Sequence, residues 1–325
     1  MTTSGTSTFN LTRDKIIKAA LRKAGAIESG ETPSAGMIND CADALNAMVK
    51  EWDALGIHLW TESEGALFLQ PGQYQYALGP NSTDHATQTN PPNYIQTTLA
   101  AVAASGATSV TVSSITGILN GDNIGVVLDS GAIFWTTVNG APSGSTVVLT
   151  SGLSSAAQSG NNVYDYTTPL LRPLRIPAGR RMLISSGIET PMVRMSRLDY
   201  RDLPNKANTG IPTQFFYDPL GGAINYGIMY IWPAPVDATN LMKFTWYRQI
   251  QDFTSAGDTP DLPQEWLNSL IWNLAVEMAP EFDLTQQRFS ILKIQAKEKL
   301  DMVMGWDREM ESVYFGVSYD MPFSR

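Results

Sequence analysis

"LPQEWLNSLIWNLAVEMAPEF", residues 262–282, decides how this chain is organised. Trp266, Leu267, Leu270, Ile271, Leu274, Ala275 and Met278 recur at the 3.6-residue spacing of a helix with one apolar face. Leu262-Pro263 opens the segment, where a helix tolerates proline, and Pro280 stops it. A face with so little polar interruption must be buried against another element. Thr285 can start one more helix, with Phe289, Leu292, Ala296, Leu300, Val303 and Met304 facing inward.

The matching faces lie at the other end of the chain. Thr12 can cap a helix whose apolar face is Ile16, Ile17, Ala20, Leu21 and Ala24, with Gly25 placed to end it. A second helix is predicted with Thr32 as cap and Pro33 at its first position. Its face is Met37, Cys41, Ala44, Leu45, Met48, Trp52 and Leu55. Terminal helices that need each other predict an α+β fold: a helical bundle built from the N- and C-terminal helices, with the chain between them making a β-rich excursion.

That middle reads as strands. Val110 and Val112 alternate with Thr and Ser, Ile124–Leu128 is a short apolar run, and Asp129-Ser130-Gly131 is a turn before Ile133 and Trp135. With 147–149 these make a small all-β insert over 97–166, rich in Gly, Ser, Thr and Ala. Further strands are predicted at 182–184, 192–195, 214–217, 228–232 and 241–250. The expected organisation is a helical domain of 1–65 with 255–312, a β-rich domain of 66–96 with 167–254, the insert 97–166, and a C-terminal arm 313–325. The arm, "SVYFGVSYDMPFSR" with Ser312, is too short and too broken to pack alone, yet it carries Tyr314, Phe315, Tyr319 and Phe323. It either folds back onto its own domain or orders on meeting a partner.

Composition bounds the function. The 325 residues are 43% hydrophobic and 16% charged, enough for packed cores and too poor in charge for a disordered chain. One cysteine, Cys41, rules out an internal disulfide framework. The N-terminus lacks the order of a signal peptide, and no apolar run reaches the ~18–20 residues of a membrane span, so a protein made and kept in a cytosol, without membrane anchor, is expected. Between Glu51 and Leu171 there is no Lys or Arg, while Glu51, Asp53, Glu62, Glu64, Asp84, Asp122, Asp129 and Asp165 supply all but one unit of the formal charge of −9. Gripping nucleic acid takes Lys and Arg to displace counterions. Over a third of the chain has none.

Chemistry-bearing patterns are sparse. His58 and His85 lie in no metal-binding frame, Cys41 falls on an apolar helical face, and the phosphate-cradling and nucleophile-elbow motifs are missing. Glu62 and Glu64 share one face of a strand and could pair as in a glycosidase, or simply be two acids at a strand start. Asp122 and Asp129 could hold a cation but lack the ligand density of a calcium loop, and turn residues fit them as well. No cofactor, metal or catalytic residue is expected.

"IIKAALRKAGAI", "DALNAMVKEWDALGIHLW" and the opening helix, together with "SRLDYRDLPNKANTGIPTQFFYD" (196–218), "YIWPAP" and "FTWYRQIQDF", resemble the head-to-tail adaptors of tailed bacteriophages, including the tail accessory factors and tail tubular protein A of short-tailed phages. The resemblance covers most of 14–306 and is weakest in the insert. It implies a non-enzymatic virion protein at the head-tail junction, made in the bacterial cytoplasm. Such proteins form a dodecameric ring between the portal protein and a downstream tail (nozzle) protein, and DNA passes through without specific binding. On that reading Tyr314, Phe315, Tyr319, Phe323 and Arg325 contact the portal. Arg197, Asp199, Arg201, Asp202 and Lys206 contact neighbouring copies or belong to an ordinary solvated loop. An acidic wall would repel the passing polyanion. The alternatives are a virion-associated cell-wall hydrolase using Glu62 or Glu64, and a host-surface binding module built on the insert.

Overall fold

A computed structural model of the chain describes residues 5–55, 61–80, 82–88, 94–221, 226–282 and 284–306. His58, the Leu55 side chain and the whole arm from Val313 to Arg325 lie outside the described residues. The fold is mixed α/β. Among the described residues there are five helices: α1 (Arg13–Ala24), α2 (Ala35–Leu55), α3 (Arg197–Asp202), α4 (Leu267–Met278) and α5 (Gln286–Trp306). Among the same described residues, sixteen strands lie between α2 and α4. They are β1 (Glu62–Phe68), β2 (Gln75–Leu78), β3 (Ala86–Gln88), β4 (Tyr94–Thr98), β5 (Ser109–Thr111), β6 (Asn123–Val127), β7 (Ile133–Thr137), β8 (Thr146–Val148), β9 (Asn162–Tyr166), β10 (Arg175–Leu183), β11 (Ile188–Arg194), β12 (Thr209–Gly210), β13 (Gln214–Asp218), β14 (Gly227–Trp232), β15 (Ala234–Pro235) and β16 (Asn240–Tyr247). The chain divides into two compact units, Met1–Thr61 with Ile250–Arg325, and Glu62–Gln249.

In the helical unit, Ile16, Ile17, Ala20, Leu21 and Ala24 of α1 are all buried, as their spacing predicts. They share one apolar cluster with Leu45, Met48 and Trp52 of α2, Trp266, Leu270 and Leu274 around α4, and Val303 of α5. The Trp52 and Trp266 rings lie 5.7 Å apart. Two capping expectations need correction. Thr12 occupies the cap position of α1, but its hydroxyl makes no capping bond. The second helix begins at Ala35, because the Ser34 hydroxyl accepts the Met37 N–H at 3.3 Å, leaving Thr32 and Pro33 outside it. Gly25 ends α1 in the left-handed region, φ 75°, where a side chain would be strained.

A polar stripe on α2 holds the chain as it returns from the β region. Asn46 bonds both backbone groups of Phe253, accepting its N–H at 2.8 Å and donating to its carbonyl at 3.1 Å. One turn on, Lys50 donates to the Ile250 carbonyl and pairs with Asp252 at 2.7 Å; Asp53 accepts the Ile250 N–H. The i, i+4, i+7 spacing puts all three on one helical face.

The β unit is built on an eight-stranded sheet, in the order β2-β14-β13-β11-β10-β16-β1-β3. Its core gathers Tyr76, Phe215, Phe244 and Trp246 with aliphatic and methionine side chains. Alternation along β16 sends Met242, Phe244 and Trp246 to that core. Gly65 and Gly179 stand opposite Phe244 on the two flanking strands. A Cβ on Gly65 would lie 2.8 Å from the Phe244 ring, and one on Gly179 2.5 Å from the Met242 methyl, so both glycines make room for the core.

Every neighbouring pair in this sheet is antiparallel except β11 with β13. That parallel pairing covers only Val193 and Arg194. The N–H groups of Val193 and Met195 face β13, reaching Thr213 and Phe215 at 2.9 and 2.7 Å. Alternation assigns position 191 to the same side, and Pro191 has no N–H to offer there.

Residues 94–166 form a four-stranded sheet, β4-β9-β6-β7, and a β5–β8 pair around their own apolar core of Val110, Val112, Ile124, Val126, Val147 and Val163. Aromatic rings join this part to β1: Phe68 contacts Tyr94, Trp135, Tyr164 and Tyr166 with centroids 4.9–5.9 Å apart.

Candidate assembly surface

The stretch 196–218 is a helix-bearing ledge beside the sheet rather than a bare connection. Ser196 and Asp199 make a reciprocal capping box: the Ser196 hydroxyl accepts the Asp199 N–H, and the Asp199 carboxylate accepts the Ser196 N–H, both at 3.1 Å. Those bonds hold the Asp199 carboxyl below its usual range. Tyr200 is buried against Tyr230 and Phe216, with centroids 4.6 and 5.9 Å away, and burial pushes its phenol up to about 12. The far end is closed by Lys206, which donates to the Arg201 and Leu203 carbonyls at 2.9 and 3.0 Å and lies over the Tyr200 ring. Trp232 donates its indole N–H to the Asn205 carbonyl at 3.1 Å.

Each residue predicted to meet a neighbouring copy therefore has a place in the ledge; the predicted portal-contact residues lie outside the described residues. Arg197 pairs with Asp218 at 2.7 Å. Asp199 and Lys206 brace the ledge from within. Arg201 and Asp202 are exposed on its outer side, beside Leu198, which is 67% exposed. Ile211 and Val236 are also exposed and line a 360 Å³ cavity with Leu183, Pro212, Pro235 and Arg181. Rigid apolar side chains edged by arginine are what a protein partner can grip.

Elsewhere in the β unit, four charges bind four strands on one face of the sheet. Arg180 of β10 pairs with Glu64 of β1 and, at 3.1 Å, with Glu189 of β11; Glu189 also takes Lys243 of β16 at 2.7 Å. Glu64, one of the two acids considered for hydrolysis, is a member of this ladder. Glu62 lies two residues away on the same strand, opposite Tyr247. His85 stacks on Trp135 at 4.0 Å and bonds the Tyr166 hydroxyl at 2.7 Å; burial brings its pKa down to about 4, so the ring is neutral. Burial raises the Cys41 thiol to about 11, as suits a core residue. Asp129 accepts the Gln158 N–H at 2.8 Å in a turn. Among the described residues no group of three or more His, Cys, Asp or Glu could hold a metal.

One feature escaped the sequence reading. Asp122 and Asp165 are both 1% exposed and bond each other inside the insert. Burial, then the Asp122 charge, raises the Asp165 carboxyl to about 8. A strand of sequence NVYDY gives no outward sign that its acid is buried.

The helical unit shows a different surface. On α5, Leu292, Ala296 and Val303 are buried, while Ile291, Ile294, Met302 and Trp306 stand exposed along another face. No described helix is long and apolar enough to cross a membrane.

Residues 145–306 match the family model of the SU10 adaptor protein. The match begins just before β8 and takes in the arginine-bearing part of the sheet, the α3 ledge, α4 and α5. It supports a phage adaptor-type protein with a structural role in the virion. No curated protein matches the chain.

Proposed function

We propose that this chain is the head-to-tail adaptor of a tailed phage, one copy of a dodecameric ring set between portal and tail proteins, through which DNA passes without being held. The observation that carries this reading is the adaptor-family match over 145–306, which takes in two surfaces with exposed apolar residues, the α3 ledge and α5. The N- and C-terminal helices act as one bundle around the Trp52–Trp266 contact, a rigid body to be repeated around a ring. Arg201, Asp202, Leu198 and the cavity edge at Ile211 and Val236 meet the neighbouring copy in a heterologous contact, which closes when the rotation between copies closes. Arg197, Asp199 and Lys206 hold that edge in shape. The arm residues Tyr314, Phe315, Tyr319, Phe323 and Arg325 reach the portal.

The test is native mass spectrometry of the chain with and without portal rings, joined to a pull-down of a chain ending at Ser312. A ring-sized complex that depends on residues 313–325 is expected. A chain that stays monomeric at high concentration and ignores portal rings defeats the reading.

A further inference from the structure

Helix α3 presents a small, rigid face. Leu198, Arg201 and Asp202, spaced i, i+3 and i+4, lie on one side of it, and all three are exposed. Tyr200 anchors the helix from beneath against Tyr230 and Phe216, the capping box fixes its start, and Lys206 closes its end. Leu198 is thus a knob that needs no ordering before it binds.

The same unit also carries a hole, the 360 Å³ cavity bordered by Leu183, Ile211 and Val236, with Arg181, Asp237 and Asn240 on its wall. Helix α3 supplies none of that lining. We propose that Leu198 of one copy seats in this cavity of the next copy, with Arg201 beside Asp237 and Asp202 beside Arg181. This rests on the ring reading above and gives that ring its joint.

Charge is the first argument. Arg180, Lys243 and Arg197 already have carboxylate partners within the chain. Arg201, Asp202, Arg181 and Asp237 form no ion pair among the described residues. Arg181 reaches only the Thr190 hydroxyl, at 3.4 Å, and Asp237 uses one oxygen, on Thr239 of its own turn. Knob and hole therefore each carry one cation and one anion around an apolar centre. Two such patches attract with the signs crossed and repel when one is turned half round, so the charges also set the orientation.

The cavity wall supplies the second argument. The Asn240 amide oxygen is buried with no hydrogen-bond partner among the described residues. A guanidinium entering beside Asp237 brings five donors to that wall. The volume takes one leucine side chain together with the ends of its two charged neighbours.

Knob and hole are different patches of one chain. A copy that fills its neighbour's cavity still offers its own, which is the condition for a heterologous ring.

Two full-length variants divide the joint. Leu198→Asp removes the knob, and Ile211→Trp crowds the hole; both positions are exposed, and circular dichroism checks that each variant folds. Sedimentation velocity reads self-association, alone and with portal rings present. Each variant by itself should associate at least about tenfold more weakly than the parent chain. An equimolar mixture of the two should form pairs that grow no further, because one working knob meets one working hole. Variants that assemble like the parent overturn the contact, as does a mixture no more associated than its parts. A second set checks the crossed signs: Asp202→Arg and Arg181→Glu should each weaken assembly, and a chain carrying both should recover it. Absence of recovery overturns the pairing. A parent chain that stays single, alone and with portal rings, removes the ring reading and the joint together. A parent that assembles while either variant is unaffected removes only the joint.

Discussion

Trp266→Ala probes how the terminal helices hold together. The indole is 2% exposed and meets Trp52 across the cluster that unites α1, α2 and α4. Truncating a buried tryptophan costs about 3–5 kcal/mol through lost transfer energy and the cavity left behind. Trp266 also lines a groove beside the last turn of α5, so water can enter the vacated space, which places the expected loss at about 3 kcal/mol. For a unit of this size that lowers its melting transition by about 10 °C. Trp272 provides the control, since it is half-buried with the Lys23 ammonium 3.8 Å above its ring. Trp272→Ala should cost about 1 kcal/mol. Calorimetry, with helical circular dichroism at the same temperatures, reads both. An unmoved transition for Trp266→Ala, or equal shifts for the two variants, would falsify the shared-core argument.

Two further outcomes are expected from the β unit. Folded Asp165 keeps a proton up to about pH 8 that the unfolded chain releases near its ordinary 3.8, so stability is full below about pH 4 and falls as pH rises toward 8; Asp165→Asn should flatten denaturation midpoints across that window, and an unchanged slope sinks the buried-pair account. Gly179→Ala places a methyl 2.5 Å from the end of Met242 and 3.0 Å from the Phe215 ring, costing about 1–3 kcal/mol in urea unfolding. A variant as stable as the parent would show that the core has slack there.

The helical faces were legible because a 3.6-residue period survives in any stretch that buries one side: the α1 positions chosen by spacing are the buried ones. Strands β10, β11, β13, β14 and β16 were also found near their places, each marked by a short apolar run. Their order was not. β2 lies beside β14, and β1 between β16 and β3, pairings far apart in sequence that leave no mark in local pattern. Cap choice failed between Thr32 and Ser34, two hydroxyls two residues apart, where only the fold selects one. The short helix α3 was not read from the sequence: six residues are too few for a period to show, and its capping box of Ser196 and Asp199 went unread with it. Asn46, Lys50 and Asp53 carry no local sign of their role, because their partners are backbone groups some 200 residues on.

Pro191 bears on how copies of this chain can live at high concentration. An incoming strand that docked along β11 would meet, at the centre of the open stretch, a position unable to donate, and would forfeit a main-chain bond there. Strand addition along this open stretch of β11 is thus disfavoured, and strand addition is the route by which crowded β proteins turn into fibres. For the ring proposed above, an open stretch that lacks a donor at Pro191 is a safeguard against the wrong kind of polymer.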